Sequence, residues 1–460
     1  MEDRIMRNNI LLVGLLIIIA GVIVMMSFIM KPMPMDVKVQ KPPAAESKLP
    51  EVPAPGTVAQ APEVTPSIPP TPTAPVPPTQ ALETVKSVKP QLEQAFDKGL
   101  TWLMSKQLPS GSFPDLENKD DVAFTAMALI IIGEAGPLFT LPGDVPSIQL
   151  KYEAETNKAL AYLYKNVQDN GSIMDAGKVP SFDIYKTSLA IVALKAMRMH
   201  RTADEAKIDG IIAKAMEYLQ ASQYGPESSD KDMGGWGYQE KGTEKTPNPN
   251  LSTASYVIDA LYKAGLAKDS ETYKRAVDFL MKLQDSTEHN TGRVTGNSGG
   301  FVYSPTESKA GETTTADGQK ILKPYGSMTY AGLLSFIYAY VDKNDPRVQS
   351  AYNWIRANYT LEENPGLRTD AAPNLGKQGL FYYYHTFAKA LSAYGDKTIT
   401  TTDNTQHLWA NELVTKLALI QSADGSWKNE NSRWWEDMPI LATSYSLMSL
   451  NLCRKSVYPE

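Results

Sequence analysis

A single cysteine, Cys453, stands in 460 residues, which excludes an internal disulfide framework and a cysteine-rich zinc site. Histidine is scarce as well: the chain has 4, far apart in sequence. Lysine and arginine are nowhere gathered into a basic stripe, and the formal net charge is -6, so nothing points to nucleic acid. Also missing are G-x-S-x-G, H-E-x-x-H, a phosphate-binding P-loop and a cysteine–glutamine pair for an internal thioester. No long segment alternates apolar and polar residues, which argues against an extended sheet. The length still allows a sizeable core.

What is present begins with an uncharged apolar run, Ile10 to Met30. At about 1.5 Å per residue it spans roughly 30 Å, the thickness of a bilayer core. Arg4 and Arg7 precede it, which favours a cytoplasmic N-terminus; Glu2 and Asp3 count little in that rule. The other reading is a cleaved signal peptide, but the run is long for one, and no A-x-A site follows it. No cysteine near its end offers a lipoprotein anchor. The expectation is an uncleaved single-pass anchor in the cell membrane over residues 1–30. Residues 31–85 are rich in Pro, Ala, Val and Thr, too poor in apolar surface to fold, and read as a semi-stiff disordered linker. The folded body, residues 86–456, is then extracytoplasmic, at the cell surface or in the periplasm, and is read as a monomer.

That body repeats one pattern: an amphipathic helix, a glycine–aromatic loop, and a nearly wholly apolar helix. Repeats of this kind decide the architecture. The loops are Gly111-Ser112-Phe113, Gly171-Ser172-Ile173, Gly234-Gly235-Trp236, Gly299-Gly300-Phe301 and Asp424-Gly425-Ser426-Trp427. Apolar helices starting at Asp121, Asp183, Asn250, Gly326, Leu380 and Pro439 align in a common frame. Its twelfth column reads Ile132, Leu194, Leu261, Ile337, Leu391, Leu450, and its ninth reads Leu129, Ile191, Ile258, Leu334, Ala388, Leu447. Columns three apart share a helical face. Helices apolar nearly all round are buried inner helices. Their partners, near Leu92–Gln107, Glu155–Val167, Ala203–Gln223, Ser270–Asp285, Pro346–Tyr359 and Gln406–Gln421, carry stripes such as Tyr273, Ala276, Val277 and Leu280. The expected fold class is all-α: an α/α toroid of about six outer and six inner helices, with short strands allowed in the glycine-rich loops.

Gln421-Ser422-Ala423-Asp424-Gly425-Ser426-Trp427 matches the Q-x-x-D-G-S-W repeat of the terpene cyclase and protein prenyltransferase family. The body resembles that family from about Pro90 to Arg454. The segments YGSMTYAGLLSFIYAYV, NYTLEENPG and GLFYYYHTFAKAL resemble a bacterial branch of it. For squalene–hopene-type members the resemblance implies an acid motif, D-x-D-D, at an inner-helix mouth. The nearest match is Asn118-Lys119-Asp120-Asp121, which lacks the first aspartate. Asp120 and Asp121 are the candidate proton donors; as ordinary residues they read as a helix N-cap and a first-turn charge. Tyr384-His385-Thr386 resembles the segment carrying a zinc-binding histidine in prenyltransferases. The companion D-x-C is absent between Gln319 and Val341, so no metal and no cofactor is expected.

His385 interrupts a column of otherwise small residues, Ala126, Ser188, Ser255, Ala331 and Ser444, and is a third weak catalytic candidate. Lys389 lies one turn on, and Asp259 occupies the same column as Lys389. Charges on apolar inner helices must pair or face a wet cavity, so these residues are either a structural ion pair or a polar cavity floor. Asp183, Tyr325, Tyr330, Tyr382, Tyr384, Trp434 and Trp435 join Asp259, His385 and Lys389 as candidate ligand-binding residues, because they concentrate at inner-helix starts. Three functions remain open: a membrane-tethered toroid binding an apolar or isoprenoid-like ligand in its central cavity without catalysis; a terpene cyclase-like enzyme with a degenerate acid motif; and a glycan- or protein-interaction module or polysaccharide lyase on the same fold. Whether the chain is an enzyme is left open. The expected partners are the membrane and a lipid, isoprenoid or glycan.

Overall fold

Capping residues set where the inner helices begin. Asp121 Oδ1 accepts hydrogen bonds from the backbone N–H groups of Ala123 at 2.7 Å and Phe124 at 3.1 Å, and Asn250 Oδ1 accepts one from Thr253 at 3.0 Å. Pro439 occupies the first turn of the last helix, where its missing N–H costs nothing. The structure is a computed structural model, described here over residues 87–135, 147–175, 181–243, 247–290 and 292–458. All lie in the second of two units, which divide at Pro77–Pro78. The expected anchor, Ile10–Met30, and the linker fall outside the described residues. Among the described residues no helix is long and apolar enough to cross a membrane.

The long helices alternate between two layers. The outer ones are α1 (Lys89–Met104), α3 (Glu153–Lys165), α5 (Glu205–Ala221), α7 (Glu271–Leu283), α9 (Pro346–Ala357) and α11 (Trp409–Leu419). The inner ones are α2 (Val122–Glu134), α4 (Asp183–Arg198), α6 (Leu251–Ala264), α8 (Gly326–Tyr338), α10 (Leu380–Tyr394) and α12 (Pro439–Val457). Each inner helix packs on the next, and α12 returns to pack on α2, which closes an α/α toroid. The first outer helix, α1, sits against α11 and α12 of the last hairpin. Short antiparallel hairpins decorate the loops: β1 (Phe113–Pro114) with β2 (Asp120–Asp121), β3 (Glu312–Thr314) with β4 (Lys320–Leu322), and β5 (Ile399–Thr400) with β6 (Gln406–His407). The last of these corrects one boundary. Gln406 and His407 pair with Thr400 and Ile399, so α11 starts at Trp409 rather than Gln406.

The repeat motif is a clasp between neighbouring hairpins. Gln421 Nε2 donates to Gly425 O of its own loop and to Ala95 O of α1, both at 2.9 Å. Gln107, Gln223 and Gln284 make the same pair of bonds, to Gly111, Gly234 and Gly299 and to Glu155, Thr272 and Arg347. The glycine that follows must come close to the next outer helix. At Gly425, with φ +95°, a Cβ would lie 2.6 Å from Lys98 O. The aromatic then folds back under the hairpin. Its backbone N–H donates to an inner-helix threonine: Phe113 to Thr125 Oγ1 at 2.9 Å, Phe301 to Thr329 at 3.0 Å, Trp427 to Thr443 at 3.0 Å.

Candidate functional site

Buried charged groups gather at the mouth of the toroid, where the inner helices start, and in the central channel below it. At the mouth, Asp121 and Asp175 share Lys186. Lys186 Nζ lies 2.8 Å from Asp121 Oδ2 and also contacts Asp175 Oδ2. Asp175 Oδ1 accepts from Tyr162 OH at 2.8 Å and from the Val122 N–H at 3.1 Å. Burial, together with repulsion from Asp175, raises the Asp121 carboxyl above its ordinary range, although Lys186 opposes this. Burial also works against the Lys186 charge, but the two carboxylates outweigh it and hold the ammonium above its usual value. Asp120 Oδ1 accepts from Ser110 Oγ and Ser112 Oγ at 2.5 and 2.6 Å. Both candidate acids are therefore engaged in capping, ion pairing or loop closure.

Asp183 is likewise a tie. Its Oδ2 accepts from Tyr218 OH at 2.7 Å and from the Glu240 N–H at 3.0 Å. Tyr330 and Tyr384 point between the two layers: Tyr330 packs on Tyr383 and Phe387 at 5.7 and 5.1 Å, and Tyr384 OH donates to Leu361 O at 2.6 Å. Tyr325 is buried just ahead of α8. Trp434 and Trp435 lie in the loop before α12, both with left-handed backbone, φ 57° and 62°.

The channel is filled. The Tyr185 and Tyr256 rings lie 4.1 Å apart with their planes tilted by 35°, Tyr382 lies 5.7 Å from Tyr445, and His385 stacks on Tyr445 at 5.6 Å. Ser252 Oγ links Tyr382 OH at 3.1 Å to Tyr185 OH at 3.5 Å. Towards the C-terminal ends of the inner helices come two ion pairs, Lys389–Asp259 and Lys263–Glu134, each at 2.6 Å. The first is buried and the second partly exposed. The cavity they line with Tyr256 and His385 measures about 20 Å³, enough for one water molecule. Tyr256 OH, Asp259 Oδ1 and His385 Nδ1 have no hydrogen-bond partner among the described residues. Of the expected ligand-binding set, the structure thus brings Asp259, Tyr382, His385 and Lys389 together and leaves the others apart. A larger open cleft, about 890 Å³, lies on the outer wall between α11 and Ser87–Val88. It is far from these buried groups, and its lining Lys416 and Glu362 pair with each other at 2.6 Å.

Burial, reinforced by the Lys389 and Lys263 charges, pushes His385 well below the ordinary histidine value. Burial also lowers Lys389, against the pull of Asp259. The Tyr256 hydroxyl is pushed up to about 12, mainly by burial. For His385 the sign is clear. The unfolded chain takes up a proton near pH 6.5 and the folded protein does not, so stability falls as pH drops below 6.5. Between pH 7 and 5 this one group is expected to remove up to about 2 kcal/mol. His385→Phe should flatten the profile by that amount in urea titrations at the two pH values. Parallel profiles for wild type and variant would show that His385 protonates in the folded state.

No protein-family model matches the chain, and no curated protein matches it. Solved structures do. D-mannose isomerase aligns over 80% of this chain and 97% of its own, at 13% identity and TM-score 0.51. The apo type II terpene cyclase MstE from Scytonema aligns over 80% and 100%, at 12% identity and TM-score 0.46. A family 76 glycoside hydrolase from a bovine Bacteroides thetaiotaomicron strain aligns over 80% and 78%, at 11% identity and TM-score 0.49. At these identities the likeness is one of fold, the α/α toroid. It does not choose among chemistries.

Zinc bound through His385 does not fit these surroundings. The carboxylates that share its cavity, Asp259 and Glu134, are paired with Lys389 and Lys263, and among the described residues no three His, Cys, Asp or Glu are grouped to hold a metal.

Several residues of the two regions escape a reading of the sequence. Glu134, Lys186 and Lys263 carry the signal that singles out Asp259 and Lys389, a charge on a nearly apolar inner helix. Glu436 carries no such signal, because it sits in a polar loop. It is nevertheless 1% exposed and caps α10 through the N–H groups of Phe381 at 3.0 Å and Tyr382 at 2.7 Å.

Proposed function

We propose that this protein is a membrane-tethered, extracytoplasmic binding module, monomeric and non-catalytic, that contacts glycan through the tryptophan loop at the toroid mouth. The observation that carries the reading is Trp435. It is 55% exposed on a backbone that bulky residues rarely adopt, and the residue before it shares that conformation. Such strain persists only where the surroundings over-determine it, and it concentrates at ligand contacts. An exposed indole offers a flat apolar face to the C–H side of a pyranose ring and a donor at its edge. The guanidinium of Arg433, 5.5 Å over the Trp434 ring, supplies donors for sugar hydroxyls nearby.

Two observations weigh against an isoprenoid in the centre. Small-molecule pockets usually offer about 300–1,000 Å³, whereas the central cavity is about 20 Å³. Its walls carry two ion pairs, which an apolar ligand would leave poorly solvated. Against cyclisation, both Asp121 oxygens and Asp120 Oδ1 are already engaged.

The test is titration of the detergent-solubilised protein with chitohexaose, cellohexaose and mannohexaose, read by calorimetry. At least one is expected to bind, and Trp435→Ala to weaken it tenfold or more, about 1.4 kcal/mol. Silence with all three sugars, together with squalene raising the melting temperature, would replace this reading by the isoprenoid one. Conversion of squalene, lost in Asp121→Asn, would replace it by the cyclase.

A further inference from the structure

We propose that Phe182 is a second stacking platform on the rim that carries Trp435, and that the ligand is an oligosaccharide chain lying from one ring to the other across the start of α2. The idea rests on the reading of Trp435 as a sugar contact and names the ligand of that rim as a chain rather than a single sugar.

The backbone singles out Phe182. Among the described residues, Asn118, Asn297 and Asn404 are left-handed, a conformation in which asparagine is common. The other non-glycine residues with positive φ are all aromatic: Phe182, Tyr340, Trp434 and Trp435. Tyr340 follows α8 at the far end of the toroid, where its ring packs 5.5 Å from Tyr262 and 5.7 Å from Tyr273. Phe182 precedes α4 at the mouth and is 43% exposed. The fold does not require a side chain there. Gly379 holds the same place before α10, with φ 60° and ψ 36° against 59° and 22° for Phe182. Before α10 stands the residue for which this conformation is free of strain. Before α4 stands a ring, strained and partly in solvent, as strain at a contact surface would have it.

The ring is also fixed. It meets Tyr238 edge-on, with centroids 5.0 Å apart and planes at 67°. Tyr238 is tied in turn: its OH lies 2.6 Å from Tyr303 OH, and its carbonyl accepts from the Ile184 N–H at 3.2 Å. A fixed apolar ring loses little freedom when a pyranose settles on it.

The spacing of the two rings sets the ligand. α12 packs on α2, and α2 packs on α4. Packed helices lie about 8–10 Å apart, so the starts of α12 and α4 are separated by roughly 14–20 Å. That is beyond a disaccharide and within reach of a hexasaccharide. Between them, ahead of α2, the β1–β2 turn exposes Glu117, Asn118 and Lys119, whose side chains offer acceptors and donors to hydroxyls. A chain held on one ring meets the other at high effective concentration, so affinity rises with length until both are covered.

The test is calorimetric titration of the detergent-solubilised full chain with the hexaose that binds and with its disaccharide. Phe182→Ala is expected to weaken the hexaose about fivefold and to leave the disaccharide unchanged, whereas Trp435→Ala weakens both. Phe182→Gly copies Gly379, so it should lose the same affinity while its melting temperature stays at or above that of the wild type. Phe182→Tyr, which keeps the ring, should bind as the wild type does. Hexaose affinity that falls in Trp435→Ala but not in Phe182→Ala overturns the two-ring chain and leaves the sugar reading standing. So does equal weakening of disaccharide and hexaose by Phe182→Ala, which would put both rings on one short site. A melting temperature lowered by more than about 3 °C in Phe182→Gly overturns it as well, because the ring would then be packing. If the disaccharide binds too weakly to measure, the hexaose and the melting temperature decide alone. Silence with chitohexaose, cellohexaose and mannohexaose sinks the sugar reading and the chain with it.

Discussion

Trp427→Ala is expected to cost about 3–5 kcal/mol, the usual price of deleting a fully buried large aromatic. Trp427 has no exposed surface, and its indole N–H donates to Leu417 O at 2.8 Å. It also fills the seam between the last hairpin and the first outer helix: a Cβ on Gly99 of α1 would meet the indole at 2.4 Å. The variant therefore loses apolar contact, leaves Leu417 O without this donor, and opens the closure between α1 and α12. Urea unfolding followed by circular dichroism measures the loss. A cost below about 1 kcal/mol would mean that the seam collapses onto the cavity and that the clasp is dispensable.

Lys389→Met is expected to destabilise by a similar amount, about 3–5 kcal/mol, because it strands a buried carboxylate. Asp259 is 1% exposed, with one oxygen bonded to Lys389 and the other unpartnered. Adding Asp259→Leu should restore most of the loss, since two apolar side chains replace two paired charges. The coupling in a double-mutant cycle is the measurement. Should the double variant be no better than Lys389→Met alone, the pair contributes attraction that burial does not cancel, and the channel is more solvated than its volume suggests.

The layers and their order were legible because every inner helix is a largely apolar run, and α2, α6 and α12 also carry a capping residue or a proline at their start. Asp121 and Asn250 stand at the expected starts with their caps formed, and α12 begins at the expected Pro439. Boundaries slipped where a local bond intervened. The threonines that receive the loop N–H groups are Thr125, Thr187, Thr329 and Thr443. By that criterion α8 sits one residue out of the column frame. The Lys389–Asp259 pair was readable as a shared column. Glu436 was not, because the N–H groups it caps lie 54 and 55 residues away and nothing local marks it. The filling of the channel was not readable either. Tyr185, Tyr256 and Tyr445 look like any packing aromatics until three helices bring them together.

The seam between α1 and the last hairpin also bears on how the protein is made. Leu92, Phe96 and Leu103 of α1 are wholly buried, and Gln421 reaches Ala95 from 326 residues downstream. At about 5–20 residues per second, roughly 16–65 s of translation separates α1 from the hairpin that covers it. For that interval a greasy helix waits outside the ribosome without its mate. The toroid completes its contact order only with its last residues, so premature termination anywhere before Trp427 releases a chain with its stickiest edge uncovered.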